Sequence, residues 1–329
     1  MVATPSQLVI APMFSFVVTF ALIWLLMRVN TLKVLDHPNS RSLHIKPVPR
    51  IGGVSLMLGV LASWVVLLPT ALPLSVWVGV GLLVTISLAD DVHGLSVWWR
   101  LLMHGSAAAW LSTALLADTH GWMIAAVTAV AVIWVTNLYN FMDGSDGLAG
   151  GMTLIGFSCY GLTAWLAGNE TFAVLNLCIA AAAAAFLLFN FYPARVFMGD
   201  AGSIPLGFLA AAFGAIGWID GLWPLWLPLL VFSPFIADAT ATLAKRCLHG
   251  EKIWQAHREH YYQRLVQSGF GHRNTALLGY MLMLAAGASA VWAVGQDAAI
   301  QLGIGIAWGG AYLMMMVISD YYWKRRYGD

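Results

Sequence analysis

Residues 122–151 read "WMIAAVTAVAVIWVTNLYNFMDGSDGLAGG". The run from Trp122 to Tyr139 is apolar, close to the roughly 20 residues a helix needs to cross a hydrocarbon core. It ends on Asn140, Asp143 and Asp146, set among Gly144, Gly147, Gly150 and Gly151. Ionisable groups at membrane depth are costly and are read as functional by default. The three polar residues recur every third position, which predicts one face of a helix end. The glycines permit tight turns and close approach of backbone to a ligand.

The rest of the chain puts this stretch in lipid. Of 329 residues, 60% are hydrophobic and 9% charged, and the mean hydropathy is +0.78. A soluble domain carries about 25% charged residues, so the fold class is an all-α polytopic membrane protein. Eleven spans fit: 8–28, 51–70, 72–89, 98–117, 121–139, 148–168, 170–190, 203–219, 223–243, 275–295 and 298–319. They form one polytopic domain over 1–329, with an arm at about 245–273. The first run lacks a basic leader and a small-residue cleavage site, and reads as a retained helix. A net charge of +1 argues against nucleic-acid binding, and the three cysteines have no metal-ligand spacing.

Lys and Arg test the span count. All sixteen fall in or beside the odd-numbered loops and the C-terminal tail; the even loops hold none. By the positive-inside rule the N-terminus is periplasmic and the C-terminus cytoplasmic. The odd loops are also the long, polar ones. A short helix on the membrane surface is expected within 251–268, where Trp254, Tyr261 and Leu265 approach helical spacing.

Five odd-side stretches carry chemistry. Asp90 and Asp91 in "LADDVHGL" are adjacent acids at a helix C-terminus, where the macrodipole opposes them. The second stretch is Asn140, Asp143 and Asp146. The third, "FMGDAGS", places Asp200 before a helix N-terminus, a setting that favours anions and that an N-capping aspartate would also explain. The fourth, "HREHYYQRL", holds His257, Arg258, His260 and Arg264, a cationic cluster that fits phosphate better than a metal. The fifth, "DHPNSRSLHIKPVPRIGG", is rich in Pro and basic groups. Hard oxygen donors suit Mg²⁺ or Mn²⁺, and Mg²⁺ usually shares substrate phosphates. Together these stretches predict phosphoryl-type transfer between a soluble donor and a membrane acceptor.

The order "DHPNSRSLHIKPVPRIGG", "DDVHGL", "NLYNFMDGSDGLAGG", "FMGDAGS" resembles the polyprenyl-phosphate N-acetylhexosamine-1-phosphate transferases over nearly the whole chain. The resemblance implies transfer of an N-acetyl-sugar 1-phosphate from a UDP-sugar to undecaprenyl phosphate, giving a lipid pyrophosphoryl sugar and UMP, with Mg²⁺, in a bacterial inner membrane. A homodimer is one option for its assembly. Asp90 and Asp91 would be the catalytic acids; Asp200 would ligate Mg²⁺, with Asn140 second. Phe197 would stack on uracil and Asp146 would hold the uridine. Asp143, Lys46 and Arg50 would contact substrate, as would His257, Arg258, His260 and Arg264. Relatives using UDP-N-acetylglucosamine often carry His-x-His-His in the ninth loop, where this chain reads His260-Tyr261-Tyr262-Gln263. That departure resembles the O-antigen-initiating branch, which uses 6-deoxy donors such as UDP-N-acetylfucosamine or UDP-N-acetylquinovosamine. UDP-N-acetylglucosamine is the alternative donor. From another class, a secondary transporter would need acids near the bilayer midplane and broken helices; Asp238 is the nearest such acid. A CDP-alcohol phosphotransferase lacks its D-G-x-x-A-R run here.

Overall fold

The computed structural model describes residues 6–29, 35–36, 43, 47–252, 255 and 257–328. Its helices are α1 (Gln7–Val29), α2 (Gly52–Leu67), α3 (Leu74–His93), α4 (Val97–His120), α5 (Trp122–Phe141), α6 (Leu148–Leu166) and α7 (Glu170–Asn190). They continue as α8 (Asp200–Ile219), α9 (Trp226–Val231), α10 (Ser233–Leu248), α11 (Tyr261–Leu265), α12 (Gly271–Ala293) and α13 (Ala298–Tyr327), with a π turn over Val266–Phe270 before α12. Seven segments are long and apolar enough to cross a membrane, and α2 is a shorter apolar helix. The protein is a multi-pass helical membrane protein. Each of the eleven stretches drawn from hydropathy falls on helix.

The ninth stretch is the exception to continuity. Residues 223–243 contain α9 and most of α10, with a break at Phe232. Pro234 has no N–H to give the Leu230 carbonyl across the break, so the ninth stretch forms two helices.

Burial separates centre from rim. In α8, 83% of the most apolar window is buried, against 0% in α13. The small residues of α7, an alanine run over 180–185, let its neighbours approach closely, as in other membrane bundles. The rim helices turn Val9, Met13, Val17, Leu302, Ile306 and Leu313 outward. With lipid as solvent these exposed side chains need no protein partner.

The loops sort to two ends. Connections 1, 3, 5, 7 and 9 meet at one end through the bonds described below. At the other, the connections after α2, α6 and α8 border one cavity with Leu115 of α4, and Gln7 at the start of α1 donates to the Leu67 carbonyl at the end of α2 (2.9 Å). The charge parity read from sequence therefore has a physical counterpart: the basic loops share one end.

Candidate active site

A two-residue antiparallel ladder starts the site. Leu35 pairs with Pro49 and Asp36 with Val48, so the long first loop returns with Asp36 beside Arg50. Arg50 Nη2 lies 2.8 Å from Asp36 Oδ1, and its Nη1 lies 3.4 Å from Asp91 Oδ1. Burial works against the Arg50 charge, but Asp36 and Asp91 outweigh it and hold the guanidinium above its ordinary range. The seventh loop docks on the same strand. Phe197 N–H donates to the Pro49 carbonyl (2.8 Å), and the Gly52 and Gly53 amides donate to the Phe197 and Met198 carbonyls (3.0 Å each). A side chain at Gly53 would sit 2.5 Å from the Gly202 backbone. The Gly-Gly pair thus lets the N-termini of α2 and α8 touch.

Asp90 and Asp91, which end α3, are handled differently. Asp90 Oδ1 accepts the Leu95 amide (2.7 Å), and its Oδ2 pairs with Arg100 (3.0 Å). Both oxygens are engaged. Asp91 is met by Arg50 at Oδ1, while its Oδ2 is buried without a hydrogen bond of ordinary geometry, the Ala201 amide at the start of α8 lying near the carboxylate. Arg100, in the first turn of α4, uses its second arm on Asp200 Oδ2 (3.0 Å). Sequence reading used Arg100 only for sidedness. Its sole signal was being the one Lys or Arg in the third loop's "DDVHGLSVWWR".

The expected single face of Asn140, Asp143 and Asp146 does not form. The helix α5 ends at Phe141, and Gly147 adopts φ +75, so the three side chains diverge. Asn140 Nδ2 donates to Asp200 Oδ1 (2.8 Å) and to Ser203 Oγ (3.0 Å). Asp146 is buried and accepts the Ala194 amide at Oδ2 (3.0 Å), pinning the seventh loop to the fifth. Asp143 makes no side-chain hydrogen bond or ion pair among the described residues. Desolvation, reinforced by the nearby Asp200 charge, pushes its carboxyl well above the usual range.

The arm departs most from expectation. The helix there is only Tyr261–Leu265, and it is buried rather than laid on the membrane surface. Asp238 is the cause: its carboxylate accepts the Tyr261 and Tyr262 amides (2.9 Å each) and faces His260 Nδ1 (3.2 Å). A carboxylate at a helix N-terminus satisfies otherwise orphan donors. Arg264 pairs with Asp320 of α13 (3.0 Å), which Lys245 also meets. His260 and Arg264 therefore hold the arm in place. His257 is driven down to about 4 by burial, with His260 and Arg246 adding to the effect, so it is neutral near pH 7 and not the cation expected from sequence. Arg258 is exposed. Lys46 and Trp254 lie outside the described residues.

Among the described residues no three His, Cys, Asp or Glu side chains cluster to hold a metal. That arrangement still fits Mg²⁺, which binds through one or two carboxylates plus phosphates. The orphaned Asp91 Oδ2 and the unpaired, desolvated Asp143 are groups a cation would relieve.

An apolar groove of about 600 Å³ is walled by α10, the arm, α12 and α13, and its lining includes Met142, the chain neighbour of Asp143. The fifth loop thus links the two, with Met142 in the trough and Asn140 bonded to Asp200.

A model of the family described as "Glycosyl transferase family 4" matches residues 73–218. The chain is 30% identical over 264 residues to the probable undecaprenyl-phosphate N-acetylglucosaminyl 1-phosphate transferase of Bacillus subtilis (strain 168), covering 75% of this chain and 74% of that one. It is 28% identical over 353 aligned positions to the decaprenyl-phosphate N-acetylglucosaminephosphotransferase of Mycobacterium tuberculosis (strain ATCC 25618 / H37Rv), covering 90% and 86%. Against the undecaprenyl-phosphate alpha-N-acetylglucosaminyl 1-phosphate transferase of Escherichia coli (strain K12) it is 26% identical, covering 74% and 72%. Its helical membrane fold, its acid-lined end and these relatives together make the chain a member of glycosyl transferase family 4, within the polyprenyl-phosphate N-acetylhexosamine-1-phosphate transferases.

Proposed function

We propose that the protein transfers an N-acetyl-sugar 1-phosphate from a UDP-sugar to undecaprenyl phosphate, releasing UMP, at the cytoplasmic face of a bacterial inner membrane. The observation that carries this reading is the meeting of Asp90, Asp91 and Asp200, bound by Arg50 and Arg100 with the Asp143 carboxyl nearby, in a chain whose apolar groove reaches the same loop end at Met142. The groove suits a prenyl chain, and the polar end suits two phosphate-bearing groups. The collection of the basic loops at that same end supports the cytoplasmic assignment.

Mg²⁺ would be held by Asp200, with Asn140 as a second ligand, and would screen the donor pyrophosphate. Asp91 keeps a buried oxygen that Arg50 does not reach, and we assign to it the removal of any residual proton from the acceptor. A phosphomonoester's second pKa is about 6, so the acceptor is largely dianionic and attacks the β-phosphorus directly. Asp90, with both oxygens engaged, positions Arg100. Arg50 and Arg100 offset the negative charge that gathers when two anions meet. An aspartyl intermediate would instead catalyse exchange of labelled UMP into UDP-sugar without lipid, and direct attack predicts no such exchange.

For the donor we propose UDP-N-acetylfucosamine or UDP-N-acetylquinovosamine, in the first membrane step of O-antigen or a related surface polysaccharide. Tyr262 is buried and its hydroxyl donates to the Phe141 carbonyl (3.0 Å), while Gln263 accepts the His260 amide (3.2 Å). Polar groups spent inside the protein leave less to reward a sugar 6-hydroxyl, whose unpaired burial costs free energy. The names of the three relatives favour the second reading, UDP-N-acetylglucosamine. Purified protein should release UMP only when both a UDP-N-acetyl-sugar and polyprenyl phosphate are present. A panel of UDP-sugars ranks the donors, and no release with any of them would sink the assignment.

A further inference from the structure

We propose that His272 is a positioning residue for the donor side of this site: it locks the wall made by Ser145, Asp146 and Ala194 to the first loop and to the start of α12. The proposal rests on the reaction proposed above, with the uridine held by Asp146 of the fifth loop and Phe197 of the seventh, as the family resemblance implies. His272 has no place in the chemistry described so far, since it makes no bond to Asp91, Arg100 or Asp200.

The ring sits where three loops meet. Gly271, with φ +69, turns the chain immediately before it. Nδ1 lies 3.0 Å from Ser145 Oγ and 3.4 Å from the Asp146 amide nitrogen. Nε2 lies 3.3 Å from the Leu43 carbonyl oxygen, in the first loop. The ring stacks on Tyr192 of the seventh loop, with centroids 6.1 Å apart and planes 11° from parallel. Only 14% of the His272 side chain is exposed.

These partners select one form of the ring. An amide nitrogen can only donate and a carbonyl can only accept. With Nδ1 accepting from the Asp146 amide and Nε2 donating to the Leu43 carbonyl, one neutral tautomer satisfies both sides, and Asp146 Oδ1 lies 3.7 Å from Nδ1. The consequence reaches Asp146, whose amide is held by the ring and whose Oδ2 holds the Ala194 amide. Through one imidazole, α12 fixes the fifth loop directly, the seventh loop through Asp146 and Tyr192, and the first loop through Leu43. None of the ring's partners lines the lipid groove, whose α12 wall begins at Thr275, so the effect should fall on the donor and spare the acceptor.

Each half of the ring's bonding can be removed separately. An asparagine places an amide oxygen near the Nδ1 position and can keep the fifth-loop contact. A glutamine places an amide nitrogen near Nε2 and can keep the first-loop contact. Steady-state UMP release is measured for wild type, H272A, H272N and H272Q, varying UDP-sugar and polyprenyl phosphate in turn. H272A should raise the donor KM about tenfold, the scale of losing one or two hydrogen bonds, with kcat and the acceptor KM within about twofold. H272N and H272Q should fall between H272A and wild type. A donor KM unchanged in all three variants overturns the proposal, as does an equal rise in both KM values or a fall confined to kcat. Should H272A fail to fold, H272N and H272Q decide the matter by the same criteria. Wild-type protein that releases no UMP would count against the reaction itself, and the proposal would fall with it; turnover with an unaffected donor KM counts against His272 alone.

Discussion

The two ends of the bundle both carry acids, and they treat them in opposite ways. At the odd-loop end, acids far apart in sequence are drawn together and bridged: Asp36 and Asp91 by Arg50, Asp90 and Asp200 by Arg100. At the even-loop end, Glu170 and Asp220 border a cavity of about 560 Å³, and those loops have no Lys or Arg to answer them. There the solutions are local. Glu170 opens α7, where the helix dipole favours a negative group, and burial pushes the Asp220 carboxyl up, toward its neutral form. Gathering carboxylates costs free energy, so an end that does so over long sequence separations must gain something else from it. The difference marks where the chemistry lies.

The sharpest way to break this contrast is to remove the acid that both Arg100 and Asn140 hold. Asp200→Asn should lower kcat roughly 10²–10³-fold, the scale of removing one preorganised electrostatic group, and should raise the Mg²⁺ concentration giving half-maximal UMP release. Arg100→Ala comes next, with a loss on the order of tenfold to a hundredfold. Arg100→Lys should recover little, because an ammonium cannot reproduce a planar fork reaching two carboxylates. Wild-type rates in either variant would mean the bridge is incidental.

A smaller effect is expected where the arm meets the fifth loop. A Cβ at Gly144 would lie 2.2 Å from Tyr262 Oη, so Gly144→Ala should displace the arm and slow turnover about tenfold, equivalent to about 1.4 kcal/mol. Adding Tyr262→Phe removes the clashing hydroxyl and should restore part of the rate. No rescue in the double variant would show that the arm is not positioned by this contact.

The smallest effect concerns pH. His257 is held near 4 in the folded protein, below the ordinary histidine value of about 6.5. The unfolded chain therefore binds a proton more readily between those values. Stability from this residue is present above about pH 6.5 and is lost as pH falls toward about 4. Thermal unfolding in detergent should show a shallower acid loss for His257→Gln than for wild type over that window. Identical profiles would mean His257 is not held neutral.

How much of this was legible in the sequence differs between the two ends as well. Span positions and sidedness follow from hydropathy and the placement of Lys and Arg, which are averages over many residues. The break between α9 and α10 is a local proline effect inside an apolar run, and a hydropathy window passes over it. The acids Asp90, Asp91 and Asp200 stood out because their surroundings are apolar. What sequence could not divide was labour among them: whether an oxygen is bonded depends on Leu95 and Arg100 of the third loop's stretch and on Arg50 of the first. The same holds for Asp238. From sequence it resembled a membrane-depth acid with several uses, and only the fold shows it accepting the α11 amides. Arg264 and His260 were assigned to phosphate by their charge, whereas their partners Asp320 and Asp238 lie 56 and 22 residues away. His272 left no signal beyond a histidine among glycines.

Side-by-side initial rates of UMP release by Asp91→Asn and Asp220→Asn, with UDP-N-acetyl-sugar and undecaprenyl phosphate both saturating, bear most directly on where and how this protein acts. The account predicts a rate within about twofold of wild type for Asp220→Asn and a loss of roughly 10²–10⁴-fold for Asp91→Asn. Near-normal turnover in Asp91→Asn, or an equal loss in both, would contradict it.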